Sequence, residues 1–405
     1  MADADRAHDR PWLLLFGVWF IYASFGVVAA SLAPLASVLI DDLDLTHGSL
    51  GAAMGAWQLV YIAAAVPAGI LIDRIGTTTS IALGGLLIAL SAGLRSLAVD
   101  GSTLIAAVMI FGLGGPIISA GAPKAIVEVF AGPNRGFAMG VYVTGPALGS
   151  IIALTLTNAI LLPLFDGDWR ILMRFWGAIV LLATVVWLII ARSRPRRTRQ
   201  TTADERPLNY LASLRDTIKH PTVALVLVLG ILVFMFNHGL NNWLPSILES
   251  HGFSPRTAGY WAAIPTAVGI VGSLVIPRLA TPERRFIILI ALAVAAVAAS
   301  ALFYSSASMP LLVALLLQGA VRSSMMTVLV LTLVELPEIG ERKASLSTGL
   351  FFSAAEIGGM LGPLSLGLLY SPEAGFLHAF YALSAITAAI LVGAILLRNS
   401  QSPAR

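Results

Sequence analysis

Long apolar stretches without a single charge recur along the whole chain. In the first half they cover residues 11–40, 45–72, 75–94, 101–123, 136–165 and 175–191. In the second half they cover 221–248, 257–277 and 286–321, then 344–372 with one interruption at Glu356, and 374–397. The run 286–321 is divided by Ser305, Ser306, Ser308 and Pro310, so it supplies two elements, the second continuing to Leu333. A bilayer core about 30 Å thick is crossed by roughly 20 helical residues. Each stretch therefore predicts one membrane-spanning helix, twelve in all. Gly, Ser and Thr are frequent within them, as close helix packing in lipid requires. The spans show no ten-residue alternation of apolar and polar positions, which excludes a β-barrel.

Composition agrees. Of 405 residues, 58% are hydrophobic and 11% charged, with a mean hydropathy of +0.88. Soluble domains carry about 25% charged residues. These values exclude a soluble globular enzyme and a disordered chain. The pI near 9.6 reflects a net charge of only +4, which suits loops facing anionic lipid rather than a nucleic-acid partner. Cysteine is absent, so disulfides and thiolate metal sites are excluded.

Lys and Arg set the expected orientation. With both termini inside, the inner segments hold 19 of the 25 basic residues, eight of them between Arg192 and Lys219. Arg95, Arg170, Arg174 and Arg256 fall outside, and Lys124 and Arg322 lie within spans. This asymmetry predicts a multi-pass protein of a bacterial-type inner membrane with cytoplasmic termini.

The only long polar segment divides the chain into an N-terminal six-helix bundle (1–192), a basic cytoplasmic linker (193–220) and a C-terminal six-helix bundle (221–405). The halves echo each other. Glu128 precedes Arg135 by seven residues, as Glu335 precedes Arg342. Gly145-Pro146 and Gly149 in span five have a parallel in Gly358, Gly362 and Pro363 of span eleven. Two parallel six-helix repeats with a site between them describe an alternating-access carrier.

Across essentially its whole length the chain resembles the major facilitator superfamily. Gly69-Ile-Leu-Ile-Asp73-Arg74-Ile-Gly76, after span two, is similar to that family's signature loop. The resemblance implies that Asp73 caps a neighbouring helix and helps close the cytoplasmic gate, with Gly69, Arg74 and Gly76 completing the motif. A carboxylate favours a helix N-terminus, and glycines permit close approach. Thr77 and Thr78 stand where the family usually has basic residues. A narrower resemblance, to the cyanate permease-like branch, rests on Arg95, on Gly112-Leu-Gly-Gly115 with Pro123, on Trp243-Leu244-Pro245 and on the loop from Pro277 to Arg285. That branch has an Arg-Pro pair in its first span, where this chain reads Phe25 to Pro34 without a charge.

An ionisable group at membrane depth costs at least about 2.5–3.5 kcal/mol, so it normally faces a cavity or a partner. Arg322 lies about twelve residues into span ten, roughly 18 Å deep, with Gln318 one turn earlier on the same face. A guanidinium beside an amide suits a small planar anion such as a carboxylate; a structural ion pair is the alternative. Glu356 lies at similar depth in span eleven, within reach of Arg322. Either its protonation is coupled to anion binding, or the two form a permanent packing salt bridge. Lys124 attracts anions from the inner side, snorkels to headgroups, or pairs with Glu128. Span seven carries Asn237, His238, Asn241 and Asn242, a wet surface or a set of cross-helix bonds. Tyr22, Trp57, Gln58, Tyr61 and Tyr142 are candidates for an opposite wall, although aromatics in spans usually pack.

The chain has no GxxxxGK[ST] loop, HExxH or acidic metal loop. The expectation is an all-α, twelve-helix secondary transporter, not an enzyme. It needs no cofactor or metal and works as a monomer in lipid. Its expected partners are protons and a small, anionic solute. The alternatives are an efflux antiporter for drugs or metabolites and a sensor built on the transporter fold.

Overall fold

The computed structural model describes residues 11–192, 218–336 and 339–400, without the side chains of 133 and 340–346. The charged stretch before Pro11, most of the expected linker and the side chains of Arg342 and Lys343 lie outside the described residues. Among the described residues, twelve helices are long and apolar enough to cross a membrane. The first six are α1 Pro11–Asp42, α2 His47–Ile75, α3 Thr77–Arg95, α4 Gly101–Val127, α5 Asn134–Leu164 and α6 Trp169–Arg192. The second six are α7 Pro221–Ser250, α8 Pro255–Leu279, α9 Arg285–Leu302, α10 Ser308–Val334, α11 Gly340–Leu368 and α12 Leu377–Ser400. Helices satisfy their own backbone groups, which lipid demands.

Local sequence explains several ends. Thr46 caps α2 by accepting from Ser49 N at 3.1 Å. Asp100 caps α4 by accepting from Thr103 N at 2.8 Å. The sixth helix starts at Trp169, earlier than the charge-free stretch predicts, because Asp168 Oδ1 accepts from the amides of Arg170 and Ile171. Its first-turn cation is tolerated there: Arg170 donates to Asp42 at 2.6 Å and stacks on Trp169. α1 is interrupted: its first segment ends at Ala30, a tight turn Ala33–Leu35 contains Pro34, and helix resumes to Asp42. In α5, Thr157–Leu161 forms a π-turn.

The chain forms two compact units, Met1–Thr198 with Ser254–Ala263, and Arg199–Phe253 with Ile264–Arg405. The start of α8 thus groups with the first unit, which the helix count does not anticipate. Within the first unit α1 packs on α5 and α6, and α3 on α4 and α6. Within the second, α7 packs on α11 and α12, and α9 on α10 and α12. The same pairing scheme recurs six helices later.

Glycines set the register of this repeat. A Cβ on Gly149 of α5 would strike the carbonyl of Ala23 and crowd Val27 of α1. A Cβ on Gly362 of α11 would strike the carbonyl of Met235 and crowd Gly239 of α7. Gly358 meets Ile231 and Met235 in the same way one turn earlier. Gly112 of α4 sits against Trp57 and Val60 of α2, and Gly319 of α10 against Pro265 and Val268 of α8. Phe111 thus corresponds to Gln318, Gly115 to Arg322, Gln58 to Thr266 and Tyr61 to Gly269.

Candidate functional site

In the first unit, the middles of α1, α2 and α4 hold an aromatic cluster. Phe25 and Phe111 stack with centroids 4.9 Å apart, and Trp57 meets Phe111 edge-on at 5.3 Å. Tyr61 packs edge-on to Trp57, and its ring covers Gly115, where a Cβ would lie 3.2 Å from it. Tyr22 stacks on Tyr142 at 5.8 Å. Gln58 is fully buried. The structure brings Tyr22, Trp57, Tyr61 and Tyr142 into contacts with other rings, and both α1 and α5 contribute.

At the end of this unit shared by the α2–α3 and α4–α5 turns, Lys124 Nζ lies 2.7 Å from Asp73 Oδ1. Lys124 thus does not make the pair with Glu128, one of its three expected alternatives; the Glu128 carboxylate accepts from the Thr77 hydroxyl at 2.7 Å. The side chains of α2 and α4 meet across the turn, whereas Glu128 lies beyond the last turn of α4 and faces the start of α3. Gly76 has φ +83°, a conformation that favours glycine. Nothing lies within 4 Å of a Cβ built on Gly69. Arg74 is exposed. In the second unit the corresponding contact is an ion pair between Arg285, at the start of α9, and Glu335, just past α10.

Arg95, placed by its position among the outer segments, is 1% exposed. Its Nη1 donates to Val28 O at 2.9 Å and to Ser31 Oγ at 3.1 Å, and its guanidinium lies 5.5 Å from the Phe111 ring centroid. Among the described residues no carboxylate pairs with it. Val28 is near the C-terminal end of the first segment of α1, where helix carbonyls carry partial negative charge, so the cation is held by a dipole and a ring.

In the second unit the corresponding region is polar. Arg322 reaches across Gly269 and donates to the Thr266 hydroxyl of α8. Asn237 of α7 donates through Nδ2 to the Arg322 carbonyl at 3.0 Å. Gln318, one turn before Arg322, is fully buried, and neither amide atom has a partner. His238 stacks on Phe234 at 5.2 Å, and its carbonyl accepts from Asn242 at 2.9 Å. Asn241 is half-buried.

The permanent Arg322–Glu356 salt bridge is not formed. Arg322 is drawn toward α8, where glycine leaves room, while Glu356 is 7% exposed and its Oε2 has no hydrogen-bond partner. Arg322 itself keeps part of its surface exposed, unlike Gln318.

Sequence reasoning missed Thr266, the hydroxyl partner of Arg322, and the burial of Arg95. The signal for Thr266 was present. The repeat marked by Glu128 and Glu335, extended back along α4 and α10, aligns Gly115 with Arg322 and so directs attention to the helix packed beside it.

Comparison with known proteins agrees with this architecture. The model of the Major Facilitator Superfamily matches residues 14–363. An uncharacterized transporter, YycB, of Bacillus subtilis (strain 168) is 23% identical over 368 residues, covering 89% of this chain and 87% of YycB. The hexuronate transporter of the same organism is 23% identical over 256 residues, 60% of this chain and 58% of that protein. Among solved structures, the nucleoside transporter NupG superposes with a TM-score of 0.74 at 13% identity, covering 97% of this chain and 99% of NupG.

Proposed function

Because the chain belongs to the Major Facilitator Superfamily, we propose that it carries a small anion across the membrane by alternating access, with Arg322 as the group that holds the anion. One observation carries this reading. The guanidinium of Arg322, in the middle of α10, meets only the neutral hydroxyl of Thr266, and no carboxylate among the described residues pairs with it. An uncompensated cation at that depth is costly unless water or a mobile anion reaches it. Arg322 also retains exposed surface. The hexuronate transporter among its relatives supports a carboxylate as the anionic group.

Glu356 supplies the proton coupling in this reading. Glu356 is buried with one carboxyl oxygen unbonded, and protonation removes its charge while the anion is carried. Asn237, Asn241, His238 and Gln318 support binding from the same unit. Lys124, paired with Asp73, belongs to the gate with Gly69, Arg74 and Gly76 rather than to the anion site. The protein works as a monomer in a bacterial inner membrane with both termini inside.

A second reading is favoured by Glu356 alone. A buried carboxylate without a partner can also hold a cation, as an efflux antiporter for cationic compounds requires. Replacement of Glu356 with Gln in reconstituted vesicles separates the two. The anion symport reading expects uptake driven by a pH gradient to be lost while anion exchange persists. Unchanged proton dependence removes Glu356 from the coupling, and loss of cation transport with no anion transport favours the antiporter.

A further inference from the structure

Building on the assignment of Arg322 as the anion-holding group, we propose that the anion is a hydroxylated carboxylate, and that Asn237 and Gln318 select its hydroxyl groups. Gln318 is fully buried with neither Oε1 nor Nε2 bonded. Asn237 is 5% exposed, and its Oδ1 has no partner. The bond from Asn237 Nδ2 to the Arg322 carbonyl fixes which end of that amide is oxygen, so Oδ1 is the end left over. Unmade hydrogen bonds inside a helix bundle are costly, and buried amides normally find partners.

Asn237 bonds the carbonyl of Arg322, and Gln318 lies one turn before Arg322 on the same face of α10. Two buried amides with unmade bonds, both next to a cation that meets no carboxylate among the described residues, form the pattern of a polar subsite rather than of packing.

The chemistry of the atoms narrows the guest. Arg322 and Gln318 Nε2 donate, whereas Asn237 Oδ1 and Gln318 Oε1 only accept. An alkanoate, or an inorganic anion without a proton such as chloride or sulfate, brings acceptors alone. It would satisfy the donors and leave both amide oxygens facing nothing. A hydroxyl donates as well as accepts, so a carboxylate carrying hydroxyls on neighbouring carbons satisfies all four groups. Both amides are enclosed in this structure, so the guest meets them through rotation of the two side chains rather than by filling an existing hollow.

The test uses the purified full-length chain, titrated with D-gluconate, hexanoate and sorbitol, followed by calorimetry. D-Gluconate is expected to bind at least about tenfold tighter than hexanoate, since a site built for hydroxyls rejects analogues lacking them. Sorbitol, without the charge, is expected not to bind. Gln318→Leu is expected to remove the margin between the two acids, with the larger loss falling on D-gluconate. That variant replaces an unsatisfied amide by an apolar group of similar size, so it folds and melts no lower than the parent. Equal affinity for the two acids, or an equal loss of both in Gln318→Leu, overturns the hydroxyl selectivity and leaves the role of Arg322 standing. If neither acid binds and Arg322→Gln behaves as the parent, the anion site itself is wrong and the selectivity falls with it.

Discussion

The side-chain amide of Asn237 donates to the backbone carbonyl of Arg322 at 3.0 Å, tying α7 to the middle of α10 at the residue that carries the site's charge. An interhelical bond of this kind is worth about 0.6–1.7 kcal/mol in membrane proteins. Asn237→Ala is expected to lower the melting temperature of the purified protein, read by tryptophan fluorescence, and to weaken anion binding through displacement of α10. Equal melting and equal binding would remove this link from the site.

The close approach of α1 and α5 rests on single hydrogen atoms. A Cβ on Gly149 would strike the Ala23 carbonyl, whereas nothing lies within 4 Å of one built on Gly140 in the same helix. Gly149→Ala is expected to destabilise the first unit by roughly 1–3 kcal/mol. Gly140→Ala is expected to be neutral or slightly stabilising, since alanine is the better helix former. Size-exclusion profiles and melting curves of the two variants provide the comparison; similar behaviour would mean that the α1–α5 contact is looser than described.

The ends of the two repeats are held differently. Arg285 is 7% exposed and paired with Glu335, while Thr77 offers only a hydroxyl to Glu128. Glu335→Gln leaves a largely buried cation without its carboxylate, with an expected loss of roughly 1–3 kcal/mol given the partial exposure of Glu335. Glu128→Gln keeps an acceptor for Thr77 and is expected to cost less than about 1 kcal/mol. Chemical denaturation of both variants ranks them, and the reverse order would contradict the assignment.

One pH effect follows from a residue outside the spans. Burial holds the His251 imidazole below its ordinary value, against the opposing pull of its bond to the Phe303 carbonyl. The folded state therefore binds fewer protons than the unfolded state in the window below the usual histidine value of about 6.5. The stability contributed by neutral His251 is full above that value and is lost as pH falls toward the lowered one. Melting temperatures measured between roughly pH 5 and 7 should fall with acidification, and His251→Gln should flatten that slope. A slope unchanged in the variant assigns the effect elsewhere.

Much of this fold is legible in the sequence because lipid imposes a simple rule: a span must be apolar for about twenty residues. The rule fails at helix ends, where charges are allowed. α6 begins at Trp169 because Asp168 caps it and Asp42 meets Arg170, and neither contact is visible as hydropathy. Of the candidate site, Arg322, Gln318 and Asn237 stand out as polar groups at membrane depth, and the structure ties Asn237 directly to Arg322. The partner of Arg322 is legible only through the internal repeat, since Thr266 by itself is an ordinary residue whose role depends on Gly269 leaving space beside it. The fate of Arg95 is not legible, since it is held by a backbone carbonyl and a ring, neither of which leaves a mark in composition.

Uptake by vesicles containing Arg322→Gln, measured beside the parent with labelled small carboxylates and their neutral analogues, tests the account most directly. The account predicts that the parent carries an anion and not its neutral analogue, and that the variant loses at least about tenfold of that uptake, as the removal of a charge-assisted bond implies. Transport of neutral or cationic compounds but no anion, or anion uptake that survives in Arg322→Gln, would contradict it.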